Sequence, residues 1–176
     1  MFTTGIQKLK LTKEFKEICT RIGECRTREE ETLIVNDLLY RTKEKLGKSK
    51  ISMSELYENV ISLIHLALLG YNSTFGYVNA INLTQDSQIM TKALGYLACA
   101  ALLDSKSSFI VLMISSTQRD LSSQEPMKMA LALTAITHLM TPDLIPPVVS
   151  FIGQCLNHQV PLVRQKAVMA IHSFVL

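Results

Sequence analysis

The second half of the sequence repeats one pattern of proline and small residues at intervals of 35 to 37 residues. In its clearest copy, Pro161 is followed by Ala167 and Ala170, which share one helical face. The equivalent residues in the two earlier copies are Pro126, Ala132, Ala135 and Ile136, and then Gly95, Ala98 and Cys99. A proline opening a helix costs no hydrogen bond, and small residues let a neighbouring helix approach closely. The interval predicts stacked helix pairs of the HEAT or armadillo type, with an irregular helical bundle as the alternative.

The first half of the chain carries start and stop signals for three helices. Thr27 and Glu30, like Ser52 and Glu55, have the spacing of a capping box, which predicts a helix beginning after each threonine or serine. Glycines that end helices follow at the expected distances. The predicted apolar positions are Phe15, Ile18, Cys19 and Ile22 before Gly23, then Leu33, Ile34, Leu38, Leu39 and Leu46 before Gly47, then Val60, Ile61, Ile64, Leu68 and Leu69 before Gly70.

Composition favours packed helices over the other classes of chain. Hydrophobic residues make up 48% of the 176 residues and charged residues 19%, which excludes a disordered tail. Only 7 glycines and 5 prolines are present, which argues against a turn-rich β-sandwich. We therefore expect one all-α domain over residues 1–176, an α-solenoid of HEAT- or armadillo-like helix pairs with apolar stretches also at 108–114 and 147–156.

Residues that carry chemistry are scattered. The sequence has no HExxH, GxSxG, Walker A or GxGxxG motif, and its 4 cysteines form no CxxC pair. His65 and His138 lie in apolar helical stretches without a carboxylate or cysteine at i±3 or i±4, which is typical of packing residues. His172 is expected to face solvent. We expect no catalytic residues, no metal site and no cofactor, and a scaffold that binds proteins.

Charge and hydropathy bear on partners and location. The first 50 residues hold 12 lysines and arginines against 8 acids, but the acids are interleaved, which makes a poor nucleic-acid surface. A nucleic-acid-binding helical protein using this segment is nevertheless one alternative. The longest apolar stretch, Val60–Leu69, has ten residues, whereas a membrane span needs about 18. No secretory signal is present, so we expect a cytosolic chain.

Residues 68–83 resemble a known family. Leu69, Gly70 and Tyr71, followed by the Phe75-Gly76 pair and then Ala80 and Leu83, match a pattern that the adaptins carry there. Adaptins are the large subunits of clathrin-adaptor-type complexes. Further matches are Lys92, Gly95, Tyr96 and Leu97, and the Asp120-Leu121 pair. Within the adaptins, residues 75–80 and 145–148 are most similar to the epsilon subunits of the fourth adaptor complex.

The resemblance implies the N-terminal portion of an adaptin trunk, incomplete at its C-terminus. Such a trunk binds sigma, beta and mu subunits, and an Arf-type GTPase recruits the complex to trans-Golgi or endosomal membranes. There the complex sorts the cytosolic tails of transmembrane cargo into vesicles. The expected localisation is therefore cytoplasmic and peripheral on those membranes, through partners. Another HEAT-type scaffold, such as a coatomer subunit or a transport receptor, is the alternative.

The resemblance also points to a cargo region at Arg21, Gly23 and Arg26. In alpha and gamma adaptins an arginine of the opening helix helps to bind the acidic residue before a dileucine signal. Alignment places Gly23 at that position, with Arg21 and Arg26 nearby. We therefore expect weak or absent binding of such signals. The lysine cluster that binds phosphoinositides in alpha adaptin is replaced here by residues 56–58, which contain no cation.

Overall fold

The computed structural model describes residues 12–48, 50–103, 108–139, 141–142 and 145–174. Within these residues all regular structure is helical. The α-helices are α1 Lys13–Glu24, α2 Arg28–Leu46, α3 Met53–Leu68, α4 Tyr77–Thr84, α5 Ile89–Leu102, α6 Met113–Leu121, α7 Pro126–His138, α8 Ile145–Cys155 and α9 Pro161–His172. Short 3₁₀ turns, Thr74–Gly76 and Ser108–Leu112, precede α4 and α6.

The helices form two layers, as an α-solenoid requires. In one layer α3 packs on α5, α5 on α7 and α7 on α9; in the other, α4 contacts α6 and α6 contacts α8. The layers join where α4 packs on α5, α6 on α7 and α8 on α9. A single cluster of buried apolar residues runs between them from Val60 to Ala170. The predicted all-α solenoid is therefore confirmed.

The repeat read from the sequence marks the buried faces of three helices. The small residues at equivalent positions of α5, α7 and α9 are all buried: Gly95, Ala132 and Ala167, then Ala98, Ala135 and Ala170. Pro126 and Pro161 are the first residues of α7 and α9, as predicted. The residue that follows the second small residue differs in its burial: Cys99 and Ile136 are buried, whereas Ile171 is half-buried.

Gly95 allows α5 to approach α4 closely. A Cβ at this position would lie 2.5 Å from the backbone nitrogen of Thr84 and 2.7 Å from the carbonyl carbon of Leu83. Both atoms belong to the backbone of α4, which cannot move aside as a flexible side chain can. The absence of a side chain at Gly95 therefore fixes the distance between α4 and α5.

The predicted helix ends are confirmed, with a different hydrogen-bond donor to the Glu30 carboxylate at the start of α2. Ser52 and Glu55 form a complete capping box at α3. At α2, Thr27 accepts from the Glu30 amide as predicted, but the Glu30 carboxylate accepts from the backbone N–H of Arg26 rather than of Thr27. Gly70, with φ +86°, ends α3 in a Schellman motif, where left-handed backbone favours glycine.

Three predicted segments differ in the structure, and one of them is the end of α3, where Leu68 is predicted on the apolar face but is 78% exposed. Leu33 was assigned to the apolar face of α2 but is 73% exposed, and Val35, which the sequence pattern passed over, is fully buried. The face of α2 is thus rotated toward Val35, Leu38 and Thr42. The stretch 108–114 is mostly a 3₁₀ turn, and the regular helix continues from Met113 to Leu121.

The close approach at Gly95 generates a stability prediction. Gly95→Ala should lower the free energy of unfolding by about 1–3 kcal/mol, because α4 and α5 must move apart to admit the methyl group. Gly153→Ala is the matched control, since nothing lies within 4 Å of a Cβ there. That change should raise stability by up to about 1 kcal/mol through helix propensity. Urea denaturation followed by circular dichroism measures both; equal effects of the two changes would contradict the account.

Candidate protein-binding surface at helices α1 to α3

The part of the chain that the structure describes contains no cluster of three or more His, Cys, Asp or Glu side chains able to hold a metal ion. Its helices are too short or too polar to cross a lipid bilayer. The thiols of Cys99 and Cys155 are buried, and burial raises the pKa of Cys99 to about 12 and raises that of Cys155 as well. A thiol protonated at neutral pH is a poor nucleophile. The remaining candidates for function are surfaces.

Helix α1 is attached to its neighbours by few contacts. Phe15 is its one buried residue among those described, and its ring lies edge-on to His65 of α3 at 6.2 Å between centroids. Arg41 of α2 pairs with Glu14 at 3.0 Å and with Asp37 at 2.9 Å, all three being about half exposed. Because exposed ion pairs contribute little, the apolar contacts hold α1 in place.

Two grooves flank α1 and α2. The first, of about 530 Å³, lies between the start of α2 and the end of α3 and is lined by Arg26, Arg28, Glu31 and Tyr71, among others. The Tyr71 hydroxyl donates to the Glu31 carboxylate at 3.1 Å across its floor. Arg26 lies on the turn that connects α1 to α2, and its side chain is exposed.

The second groove, of about 360 Å³, runs between α1 and α2. Ile18 and Ile34 give it an apolar component, and Arg21 is among the charged residues at its edge. The Arg21 carbonyl also accepts a hydrogen bond from the Cys25 thiol at 3.2 Å. This groove shares no lining residue with the first.

The residues of the predicted cargo region are therefore spread over different surfaces. Arg26 lines the first groove and Arg21 the second, whereas Gly23 lines neither and faces open space, with nothing within 4 Å of a Cβ. Helical geometry turns residues 21 and 23 by about 200° relative to each other, which the sequence spacing alone would indicate. The position of the connecting turn, which separates Arg26 from Arg21, depends on tertiary packing.

Residues 56–58 are occupied by internal contacts. Leu56 packs against the main core, the Tyr57 hydroxyl bonds to the hydroxyl of Thr91, and the Glu58 carboxylate accepts from Thr12 at 2.6 Å. These positions do not form an open cationic pocket. Four upstream lysines are more accessible: Lys43, Lys48 and Lys50 are exposed, and Lys45 is half-buried.

A buried ionic network lies away from both grooves. Lys92 of α5 is 1% exposed, and its ammonium is 2.8 Å from a carboxylate oxygen of Asp120 on α6. The same oxygen accepts from the Tyr96 hydroxyl at 2.6 Å, and Lys92 also donates to the Thr84 carbonyl at the end of α4. Burial, followed by this bond to the carboxylate, raises the pKa of Tyr96 strongly. The network therefore ties three helices together and leaves no group free for chemistry.

Sequence reasoning noted Lys92, Tyr96 and Asp120 only as matches to a family pattern. One signal was available: Lys92 is the sole charged residue in the 14 residues of α5. A lone charge in an apolar helix requires a buried partner if it faces inward.

The network generates the second stability prediction. Lys92→Met should lower the free energy of unfolding by about 3–5 kcal/mol, because Asp120 would remain buried without its counter-charge. Adding Asp120→Asn to the same chain should recover part of that loss. Arg41→Met, at the exposed Glu14 and Asp37 pairs, should cost less than about 1 kcal/mol. Denaturant titration of the four proteins measures these differences, and a Lys92→Met protein as stable as Arg41→Met would refute the role of the network.

Comparison with known proteins gives consistent results along the chain. The family model for the adaptin N-terminal region matches residues 34–175. The AP-4 complex subunit epsilon of Arabidopsis thaliana is 35% identical over 163 residues, which are 93% of this chain and 17% of that protein. The Dictyostelium discoideum protein of the same name is 34% identical over 172 residues, 97% of this chain and 16% of that protein. The chain thus spans about one sixth of the length of these relatives.

A structural comparison agrees. A homology model of the full-length AP-3 complex in an intermediate open conformation matches 69% of this chain and 22% of that chain, with a TM-score of 0.62 and 21% sequence identity. At this level of identity, the match shows that the two share a helical fold.

Proposed function

Because the chain belongs to the adaptin family, as the match of the N-terminal-region model to residues 34–175 shows, we propose that it acts in an adaptor coat complex. In this proposal it forms part of the trunk of a large subunit and serves vesicle-mediated sorting of transmembrane cargo at the trans-Golgi network and endosomes. The observation that carries the proposal is the similarity to epsilon subunits over 93% and 97% of the chain.

The proposed role is structural and not enzymatic. In the described residues, the charged side chains of the buried network, Lys92 and Asp120, bond to each other and to Tyr96, and the buried thiols of Cys99 and Cys155 have raised pKa values. What remains available is surface on stacked helices, which suits a scaffold that presents binding sites to several proteins.

The proposed partners are the sigma, beta and mu subunits of such a complex, an Arf-type GTPase and cargo tails. Support for the subunits comes from the relatives, which are named as subunits of AP-4 complexes. Support for a GTPase rather than a lipid pocket comes from residues 56–58, whose side chains make contacts within the chain and include no cation. Lysines near the start of α3 add only a weak, salt-screened attraction to anionic membranes, about 1 kcal/mol each.

Co-expression tests the proposed function. We expect a tagged form of this chain to co-purify with sigma, beta and mu subunits of the fourth adaptor type. The purified assembly should float with trans-Golgi-like liposomes at physiological salt only when a GTP-loaded Arf GTPase is added. A GDP-loaded GTPase is the control. Recovery of coatomer proteins in place of the adaptor subunits would contradict the proposal. Lipid-specific flotation without the GTPase would also contradict it, if changing residues 56–58 abolished that flotation.

The separation of Arg21 from Arg26 generates a prediction about cargo. An acidic dileucine peptide should bind the assembled complex weakly or not at all, since one exposed guanidinium–carboxylate pair contributes about 0–1 kcal/mol. Any residual affinity should fall, by less than about fivefold, on Arg26→Ala and stay constant on Arg21→Ala. Fluorescence anisotropy with a labelled peptide measures this. Micromolar binding that survives Arg26→Ala would contradict both parts of the prediction.

A further inference from the structure

Three stacked helices of one layer contain no carboxylate. The sequences of α5, α7 and α9 include neither Asp nor Glu. Their cations are few, and most are engaged: Lys92 is buried against Asp120, Lys128 pairs with Glu125 just before α7, and Arg164 donates to the carbonyls of residues 158 and 159. Lys166 makes no ion pair with the residues that the structure describes, and it is half-buried. A solvated helix face normally carries charges of both signs, so these three helices are unusual.

The same three helices expose apolar side chains at repeat-equivalent positions. The intervals of 37 and 35 residues that align the buried small residues also align two sets of outward positions. We call these two sets together the two-row surface. The first row is Met90, Met127 and Leu162, which are 50%, 50% and 39% exposed. The second row is Leu97, which is 58% exposed, Thr134, which is half-buried, and Met169, which is 44% exposed.

Recurrence distinguishes this surface from scattered exposed hydrophobics. Single apolar side chains on a protein surface are ordinary and need no explanation, but contiguous apolar patches mark interaction sites. Here five of six equivalent positions on three packed helices are large and apolar. Methionine, present three times, adapts its shape to the surface that it contacts.

Charge around the two-row surface favours an acidic occupant. Lys166 lies four residues after Leu162 and three before Met169, so it shares their face of α9. His138, which is exposed, lies four residues after Thr134. The nearest acids precede the helices, where Glu125 is paired with Lys128 and Asp86 accepts from the Gln88 amide at 2.7 Å. A partner carrying acids beside its apolar residues would meet Lys166 without facing a carboxylate from these helices.

We propose that the two-row surface binds an amphipathic helix of a partner protein, whose aliphatic residues are flanked by Asp and Glu. Packed helices lie about 8–10 Å apart, so a helix crossing all three spans about 16–20 Å. At 1.5 Å per residue this needs about 11–13 residues, with apolar side chains three and four positions apart so that they share one face of the partner helix. The inference deepens the proposed function and rests on it, since it assigns one subunit-binding surface of the proposed scaffold.

A pair of synthetic peptides tests the proposal. Each is an amphipathic helix of about 18 residues with a leucine face, flanked by glutamates in one peptide and by lysines in the other. We expect the glutamate peptide to bind the full chain at least about tenfold more tightly than the lysine peptide, by fluorescence anisotropy. Lys166→Glu should reduce that preference. Equal binding of the two peptides, or no binding of either, would overturn the proposal.

Surface variants locate the binding site. Leu97→Ser with Met169→Ser should weaken binding of the glutamate peptide by about tenfold, because both anchors of the second row are truncated. Val149→Ser on α8, in the other layer and at a residue 46% exposed, is the matched control and should leave the affinity unchanged. Circular dichroism checks that each variant keeps its helix content. Unchanged affinity in the double variant, or equal loss in the control, would overturn the assignment.

Two further outcomes would identify a different occupant and also overturn the proposal. If sedimentation velocity shows that the chain self-associates and that the double variant does not, the occupant is a second copy of this chain. Flotation with phosphatidylserine vesicles, lost in the double variant, would make it a membrane. Co-purification with sigma, beta and mu subunits is scored separately, so failure of this inference and failure of the proposed function remain distinguishable.

Discussion

The approach of α5 to the backbone of α4 at Gly95 is the contact on which the rest of the solenoid depends. A side chain there would overlap backbone atoms of Leu83 and Thr84. Alanines at the equivalent positions of α7 and α9 are also fully buried, so each successive helix of the layer presents a small residue toward its neighbours. Because interiors are close-packed, such positions set the spacing of the layers and leave little freedom to vary it.

The ionic network complements this packing in one place. Desolvating Lys92 and Asp120 is costly, and the cost is offset only because the Tyr96 hydroxyl and the Thr84 carbonyl supply further hydrogen bonds. Apolar contacts alone tolerate small sliding between helices, whereas these directional bonds require α4, α5 and α6 to meet in one arrangement. The small residues permit the helices to approach closely, and the network specifies the relative positions of α4, α5 and α6.

The distribution of charge follows from the same architecture. Helices α1 and α2 carry many charged residues, hold a few exposed ion pairs and share with α3 a small apolar cluster around Val35, Leu38 and Leu66. Helices α5, α7 and α9 have no carboxylate and expose apolar side chains at repeat-equivalent positions. Surfaces of different chemistry therefore lie at different places along the chain.

The sequence by itself determined the features that depend on neighbouring residues. Helix periodicity, the prolines that open α7 and α9, the capping box at Ser52 and the repeat interval all predicted the structure correctly, and the resemblance to epsilon adaptins is confirmed by the relatives. Tertiary structure alone decided that Leu33 faces solvent, that Arg21 and Arg26 line separate grooves and that Lys92 meets Asp120 across 28 residues. Local patterns fix where helices begin and end, and the repeat marks the buried faces of α5, α7 and α9, but the rotation of α2 and the partners of buried charges depend on contacts between residues far apart in the chain.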